Sequence, residues 1–394
     1  MQVVSGSFLK SLIGSCIQLT GGRLAGSEQE RKGQQWFADL LSQQGAKINW
    51  EPFQARFTAK FHLLKIFSVL GWLSLGLAIA LPLLGIGLAL FNAIIFIMHF
   101  FLNKKWLHLF FPVGESANVT ATFEPQGEVK RTLLFSGHMD SAREFVWWYY
   151  FKKWGLFIML FGGVLLILLP IILTLLYFFR LEINPKDLIP IWVLTISWLS
   201  LVFMHGWKIS PGAQDNLSGI VTAYGAALGL LDANNHGKTI LQHTRIVVVS
   251  FAAEEGGMQG SKKFAIAHPE LANEHTRVIN LDGIMYTSQV HVVEKEFMSQ
   301  VTFDAQVCQS VSQSLKEVGI EPKPGHIPIG GTDGASLQRA GIPTTSIVAL
   351  RFNTIDPTYH TRLDLPEAIE NQALEKVAQA LTLYAIKWDK ETIG

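Results

Sequence analysis

Two long apolar stretches constrain this chain more than any other feature. The first, "HLLKIFSVLGWLSLGLAIALPLLGIGLALFNAIIFIMHFFL", occupies residues 62–102. The second, residues 154–205, contains "LFIMLFGGVLLILLPIILTLLYFF", a polar break "RLEINPKD", and then "LIPIWVLTISWLSLVFM". A helix needs about 20 apolar residues to cross a hydrocarbon core of about 30 Å. Each stretch is long enough for two such helices, and neither shows the polar face of a helix lying on a soluble core. Pro82 and Gly85 lie near the middle of the first stretch and suggest a tight turn. The expectation is four membrane spans in two hairpins, 62–102 and 154–205. The fourth is the weakest, being short and carrying Thr195, Ser197 and Ser200. Composition agrees: 49% of residues are hydrophobic and only 16% are charged, against about 25% charged in soluble domains.

Four spans would leave everything outside them on one side. The flanks there carry Arg56, Lys60, Lys65, Lys104, Lys105, Arg143, Lys152, Lys153 and Lys208, whereas the opposite turns carry only Arg180 and Lys186. The positive-inside rule then predicts an integral protein of the plasma or inner membrane with its polar part in the cytoplasm. The start "MQVVSGSFLKSLIGSCIQLTGG" lacks the pattern of a signal peptide. Trp147, Trp148, Tyr149, Tyr150 and Trp154 stand where an interfacial aromatic belt would lie, with a buried aromatic cluster as the alternative. A net charge of +1 gives no electrostatic case for nucleic acid. Cys16 and Cys308 have the spacing of neither a disulfide framework nor a thiolate zinc site.

Without the apolar blocks, residues 1–61, 103–153 and 206–394 read as one discontinuous α/β domain. Residues 28–45 look helical and stop at Gly45. "NVTATFEP" and "RTLLFSGHMD" read as strands, "LSGIVTAYGAALGLLD" as a helix, and "TRIVVVSFAAEE" as a buried parallel strand. A helix near "SKKFAIAH", a strand at "TRVINLDG", a helix at about 298–318, a strand at "TTSIVAL" and a helix after Pro366 complete the series. The alternation predicts a mostly parallel central sheet flanked by helices.

In such sheets, sites gather at the carboxyl ends of strands. His138 and Asp140 end one predicted strand, Glu254 and Glu255 the next, and Asp282 a third. Asp215 opens the helix near Leu217, and His360 follows the last strand. Each has an ordinary reading alone. Asp215 and Asp333 serve as helix N-caps, Glu254 and Glu255 as a solvated turn, Asp282 as a turn residue, and His138 and His360 as structural or surface histidines. Jointly, they fall on one sheet edge.

The segments "GGRLAGSEQERKGQQWFADLLSQQGAKINWEPF", "SGHMDS", "PGAQDNLSGI", "FAAEEGGMQGS", "INLDG" and "YHTRLD" occur in the order found in two-zinc exopeptidases. The chain resembles that family, typified by bacterial leucyl aminopeptidase; its relatives include glutamate carboxypeptidase and the zinc glutaminyl cyclases. The resemblance implies two Zn2+ ions per chain, with Co2+ or Mn2+ able to use the same ligands. His138 and Asp282 would hold one ion, Glu255 and His360 the other, and Asp215 both. Glu254 would be the general base, Asp140 would orient the His138 ring, and Asp364 would assist His360. A cis peptide is expected at Asp215–Asn216. The implied activity is an aminopeptidase cleaving N-terminal residues of short peptides by metal-activated water.

The alternatives are a carboxypeptidase or dipeptidase, an N-acyl amino acid amidohydrolase, a glutaminyl cyclase with one zinc, and an inactive binding protein. Arg351 is either a substrate-carboxylate ligand or an ordinary surface arginine. His138 and Asp215 lie much further apart in sequence than in relatives, because the second apolar hairpin intervenes. The lipid bilayer is therefore an expected partner, with a peptide substrate that is apolar, membrane-derived or simply cytoplasmic.

Overall fold

The computed structural model describes residues 3–100, 104, 106–179, 189–351 and 356–391. The chain begins with α1 (Gly6–Thr20), α2 (Glu28–Gln43), β1 (Lys47–Ala55), α3 (Ala59–Ala80) and α4 (Pro82–Phe100). It continues through β2 (Gly114–Phe123), β3 (Arg131–His138), β4 (Arg143–Phe145), α5 (Val146–Phe151), α6 (Lys153–Phe178), α7 (Ile189–Thr195), α8 (Ser197–Val202) and β5 (His205–Ile209). Next come α9 (Ser218–Leu228), β6 (Thr244–Phe251), α10 (Gln259–Ala267), β7 (Thr276–Ile284), β8 (His291–Glu296) and β9 (Val301–Thr302). The last elements are α11 (Ala305–Glu317), β10 (Lys323–Ile327), α12 (Asp333–Arg339), β11 (Thr344–Ala349) and α13 (Asn371–Lys390).

These elements form two compact units. A sheet unit comprises Met1–Phe57, Val113–Arg143 and Ile209–Gly394, and a helical unit comprises Thr58–Pro112 and Glu144–Lys208. Both insertions are therefore wider than the apolar blocks 62–102 and 154–205. The helical unit also takes in α5, a short helical turn at Trp106–Phe110 and most of the β4–β5 ribbon.

The sheet unit is built on strand order β1-β2-β6-β3-β7-β11-β8-β10, with β9 paired to β8. β6, β3, β7 and β11 run parallel, as their buried, largely apolar sequences predict. The sheet as a whole is mixed rather than mostly parallel: β1–β2, β2–β6, β11–β8 and β8–β9 are antiparallel. The link from β7 to β8, residues 285–290, is too short for a crossover, so β8 runs back against its neighbour β11. Where α11 supplies a crossover, β8 and β10 run parallel.

Side chains alternate between the two faces of the central strands. Leu133 and Phe135 of β3 join the cluster under α1, α9 and α13, while Leu134 joins Phe264, Val278, Leu337 and Ile342 under α10 and α12. α9 lies against the sheet and under α1 and α13, so nearly every one of its residues is buried, and its small side chains permit that approach. In α1, Leu9, Leu12, Ile13 and Cys16 form one buried stripe at helical spacing. The three aliphatic side chains contribute roughly 2 kcal/mol each by burial.

Among the described residues of the helical unit, three helices are long and apolar enough to cross a membrane: Phe61–Ala80, Pro82–Phe100 and Lys153–Phe178, with mean hydropathies of 2.0, 2.2 and 3.0. Pro82 opens α4, where its missing N–H costs no helical hydrogen bond. Gly85 permits the close α3–α4 turn, since a Cβ there would lie 2.4 Å from the Ala78 backbone nitrogen. The expected fourth span is the exception. Its described part is a shorter apolar segment, Ile189–Val202, made of α7 and α8. At 1.5 Å per residue it reaches only about 21 Å.

Trp198 of α8 is buried, and its indole N–H donates to the Gly162 carbonyl at 3.0 Å. The aromatic run is divided: Trp148 is buried, whereas Tyr150 and Trp154 are exposed. Lys105, Arg180, Lys186 and the polar break 180–187 lie outside the described residues.

Candidate metal centre

Parallel strand ends bring the candidate residues together. His138 is the last residue of β3, and Asp282 lies near the end of β7, opposite Val348 of β11. Glu254 and Glu255 follow β6, and His360 lies in the loop after β11 with a positive φ of 51°. Asp215 lies in a tight turn, Ala213–Leu217, that leads into α9. It is not an N-cap: Leu217 occupies that position, and no side chain caps α9. The Asp215–Asn216 peptide is cis.

Asp215 presents one carboxylate oxygen to each histidine. Its Oδ1 lies 3.1 Å from His138 Nε2, and its Oδ2 lies 2.9 Å from His360 Nε2. Asp282 Oδ1 is 3.9 Å from His138 Nε2, and Glu255 Oε1 is 3.1 Å from His360 Nε2. Two three-residue groups result, His138–Asp215–Asp282 and Asp215–Glu255–His360, sharing Asp215. Ligands held about 2.1 Å from a tetrahedral zinc ion are separated by about 3.4 Å, so these spacings suit zinc. Neutral imidazole and carboxylate are also the donor types it takes.

The charge balance points the same way. Asp140, Asp215, Asp333 and Glu255 are buried at this edge with the two histidines, and Glu254 and Asp282 face the same cluster. Burial chiefly, with His138 opposing and neighbouring carboxylates adding, pushes Glu254 well above the usual carboxylate range. Burial and then Asp215 do the same to Asp282. The histidines serve as the counter-cations. Burial opposes their charge, but Asp140 and Asp215 raise His138, and Glu255 and Asp215 raise His360 to about 10. Bound divalent cations would replace those protons and relieve the carboxylate repulsion.

The surrounding loops are held by their amides. The Asp140 carboxylate accepts from the N–H groups of Glu254 at 2.9 Å and Glu255 at 3.0 Å. Its contact with His138 Nδ1 is longer, at 3.4 Å, and its own carbonyl lies 3.1 Å from that nitrogen. Asp364 accepts from the N–H groups of Gln214 at 2.6 Å and Asp215 at 3.2 Å, so it holds the Asp215 turn. Tyr359 stacks on His360 with ring centroids 3.9 Å apart.

Asp333 does not cap α12; Thr332 precedes that helix, and Asp333 is buried facing the cluster, its pKa pushed up by burial to about 6. Arg351 is exposed, its guanidinium 4.4 Å over the Tyr286 ring. Arg23 went unnoticed in the sequence. It is fully buried and donates to the carbonyls of Gly21, Met139, Pro211 and Gly212, joining the loop after His138 to the loop before Asp215.

Over residues 199–385 the chain matches the model for peptidase family M28. That segment contains Asp215, Glu254, Glu255, Asp282 and His360, whereas His138 and Asp140 precede it. No curated protein matches the chain by sequence. Solved structures show the fold. A zinc aminopeptidase from Bacillus subtilis aligns with TM-score 0.58 and 12% identity, covering 100% of this chain and 98% of that one. Glutaminyl cyclase from Porphyromonas gingivalis aligns with TM-score 0.57 and 14% identity, covering 98% and 100%. An aminopeptidase from Aneurinibacillus sp. strain AM-1 aligns with TM-score 0.56 and 14% identity, covering 97% and 93%.

A buried carboxylate away from the metal-ligand cluster carries a pH prediction. Glu296 ends β8 and accepts from the Thr332 N–H at 3.0 Å and the Thr332 hydroxyl at 2.7 Å, securing the loop before Asp333. Burial raises its pKa from 4.5 to about 7. The folded chain therefore holds this proton more tightly than the unfolded chain. The associated stability is fully present below the unfolded value and is lost as pH rises through about 7. The loss amounts to about 3 kcal/mol. Thermal melts from pH 5 to 9 should show a decline that Glu296→Gln flattens; parallel profiles for the two proteins would contradict this assignment.

Proposed function

We propose that this protein is a membrane-anchored two-zinc exopeptidase of M28 type, acting as an aminopeptidase on short peptides. The observation that carries the reading is Asp215, with one oxygen on each of the two histidine–carboxylate groups. His138 and Asp282 would hold one zinc ion, Glu255 and His360 the other, and Asp215 both. When bound, zinc supplies Lewis-acid polarisation of the scissile carbonyl and lowers the pKa of water. Glu254 takes the proton of the attacking water and delivers it to the departing amine. Asp140 fixes its backbone.

Three apolar helices support membrane anchoring. They expose large side chains such as Leu73, Leu84, Phe91, Ile94, Phe157, Val164 and Ile171. Among the described residues of the helical unit, the sole carboxylate is Glu144, which is buried. The sheet unit is a single body, so a chain that crosses in α6 must return before Ile209. In this reading, the return crossing uses the short α7–α8 segment, whose Trp198 and Leu201 are shielded within the bundle. The basic flanks favour a cytoplasmic sheet unit. The protein should remain in the membrane pellet after alkaline carbonate washing; release into the supernatant would sink the anchored reading.

The activity is tested in detergent with matched peptides bearing a free N-terminus, an acetylated N-terminus or an N-terminal glutamine. Release of the first residue from the free peptide alone is expected. Release of the last residue from free and acetylated peptides alike would make the enzyme a carboxypeptidase, and removal of the acetyl group alone an amidohydrolase. Ring closure with ammonia release would make it a glutaminyl cyclase.

A further inference from the structure

Glu30 belongs to the pattern Ser27-x-x-Glu30 at the start of α2, a capping-box signature. Ser27 does cap the helix, accepting from the Glu30 N–H at 3.1 Å. A capping-box glutamate ordinarily reaches back to its own N-cap amide from the surface. Glu30 does something else. It is 1% exposed, and its Oε1 accepts from the N–H of Ala253 at 2.8 Å, across 223 residues of sequence. Its Oε2 accepts from the Gly26 N–H at 2.7 Å and the Ser116 hydroxyl at 2.6 Å.

Ala253 immediately precedes Glu254 and has a φ of 57°, a left-handed conformation that is sterically costly for any residue with a Cβ. Three consecutive amides, those of Ala253, Glu254 and Glu255, thus end on two buried carboxylates, Glu30 and Asp140. These bonds hold the turn bearing both glutamates in that conformation.

We propose that Glu30 is a positioning residue that fixes the Ala253–Glu255 turn and so aims Glu254 at the reacting centre and Glu255 at the metal. The catalytic half rests on the reading of Glu254 as general base; the metal half does not require peptidase activity. A pure helix cap would tolerate glutamine. The clamp would not, because three donors converge on Glu30 and glutamine offers one acceptor oxygen, leaving an amide without its partner.

The test compares wild type, Glu30→Gln and Ser116→Ala in the full chain, measuring kcat, KM and the visible spectrum of the Co2+-loaded protein. For Glu30→Gln, kcat should fall roughly 10–100-fold with KM unchanged, and the Co2+ bands should shift as Glu255 is displaced. Ser116→Ala loosens only Oε2 and should show a smaller loss of the same kind, which decides the matter if Glu30→Gln does not fold. Wild-type kcat and spectrum in both variants would overturn the proposal, as would a raised KM with kcat intact. A wild type that binds Co2+ but cleaves no peptide would remove the peptidase reading, while the spectral comparison would still decide the positioning role.

Discussion

Glu254→Gln should lower kcat by about 10²–10⁴, the usual contribution of a positioned general base. This corresponds to about 3–5 kcal/mol of transition-state stabilisation. Glutamine keeps the shape of the side chain and leaves the Glu254 N–H on Asp140, so the turn is preserved. Glu254 is in neither of the groups that share Asp215, so bound metal should not change. Steady-state kinetics and metal analysis on the same sample separate the two effects. Wild-type kcat in a metal-replete variant would remove Glu254 from the chemistry.

Asp215→Ala should have the larger consequence for the metals, because it removes the one carboxylate common to both groups. Each group falls from three protein ligands to two, and the histidines lose their partners at 3.1 and 2.9 Å. Bound zinc should fall below one ion per chain and hydrolysis should disappear. Zinc should raise the melting temperature of wild type, since a ligand at 100 times its Kd adds about 2.7 kcal/mol. The variant should show little of that rise. Two retained ions with an undiminished thermal shift would show that Asp215 does not bridge.

The central strands were legible because β3, β6, β7 and β11 are short, largely apolar runs buried on both faces. β8 "HVVEKE" and β10 "KPGHI" were not: they are short, charged and without clean alternation, and their pairing is set by the turn after β7. The predicted helix at about 298–318 begins instead at Ala305, since residues 301–302 join β9 and Asp304 caps α11. α1 is not among the expected elements, because the glycines and serines of GSFLKSLIGSCIQLT are weak helix formers that obscure its buried stripe at helical spacing. At the candidate site, residue types capable of binding a metal stood out by position. The amide clamps did not, because Arg23, Glu30 and Asp364 act on backbone atoms brought near by the fold, a relation with no local sequence pattern.

The most direct test of the account is the metal content of the freshly purified, folded protein, measured by mass spectrometry against protein concentration. Two zinc ions per chain, removed by a chelator together with activity and restored together on adding zinc, are predicted. A folded chain that binds no metal, or one whose hydrolytic activity survives complete removal of metal, would contradict the binuclear reading.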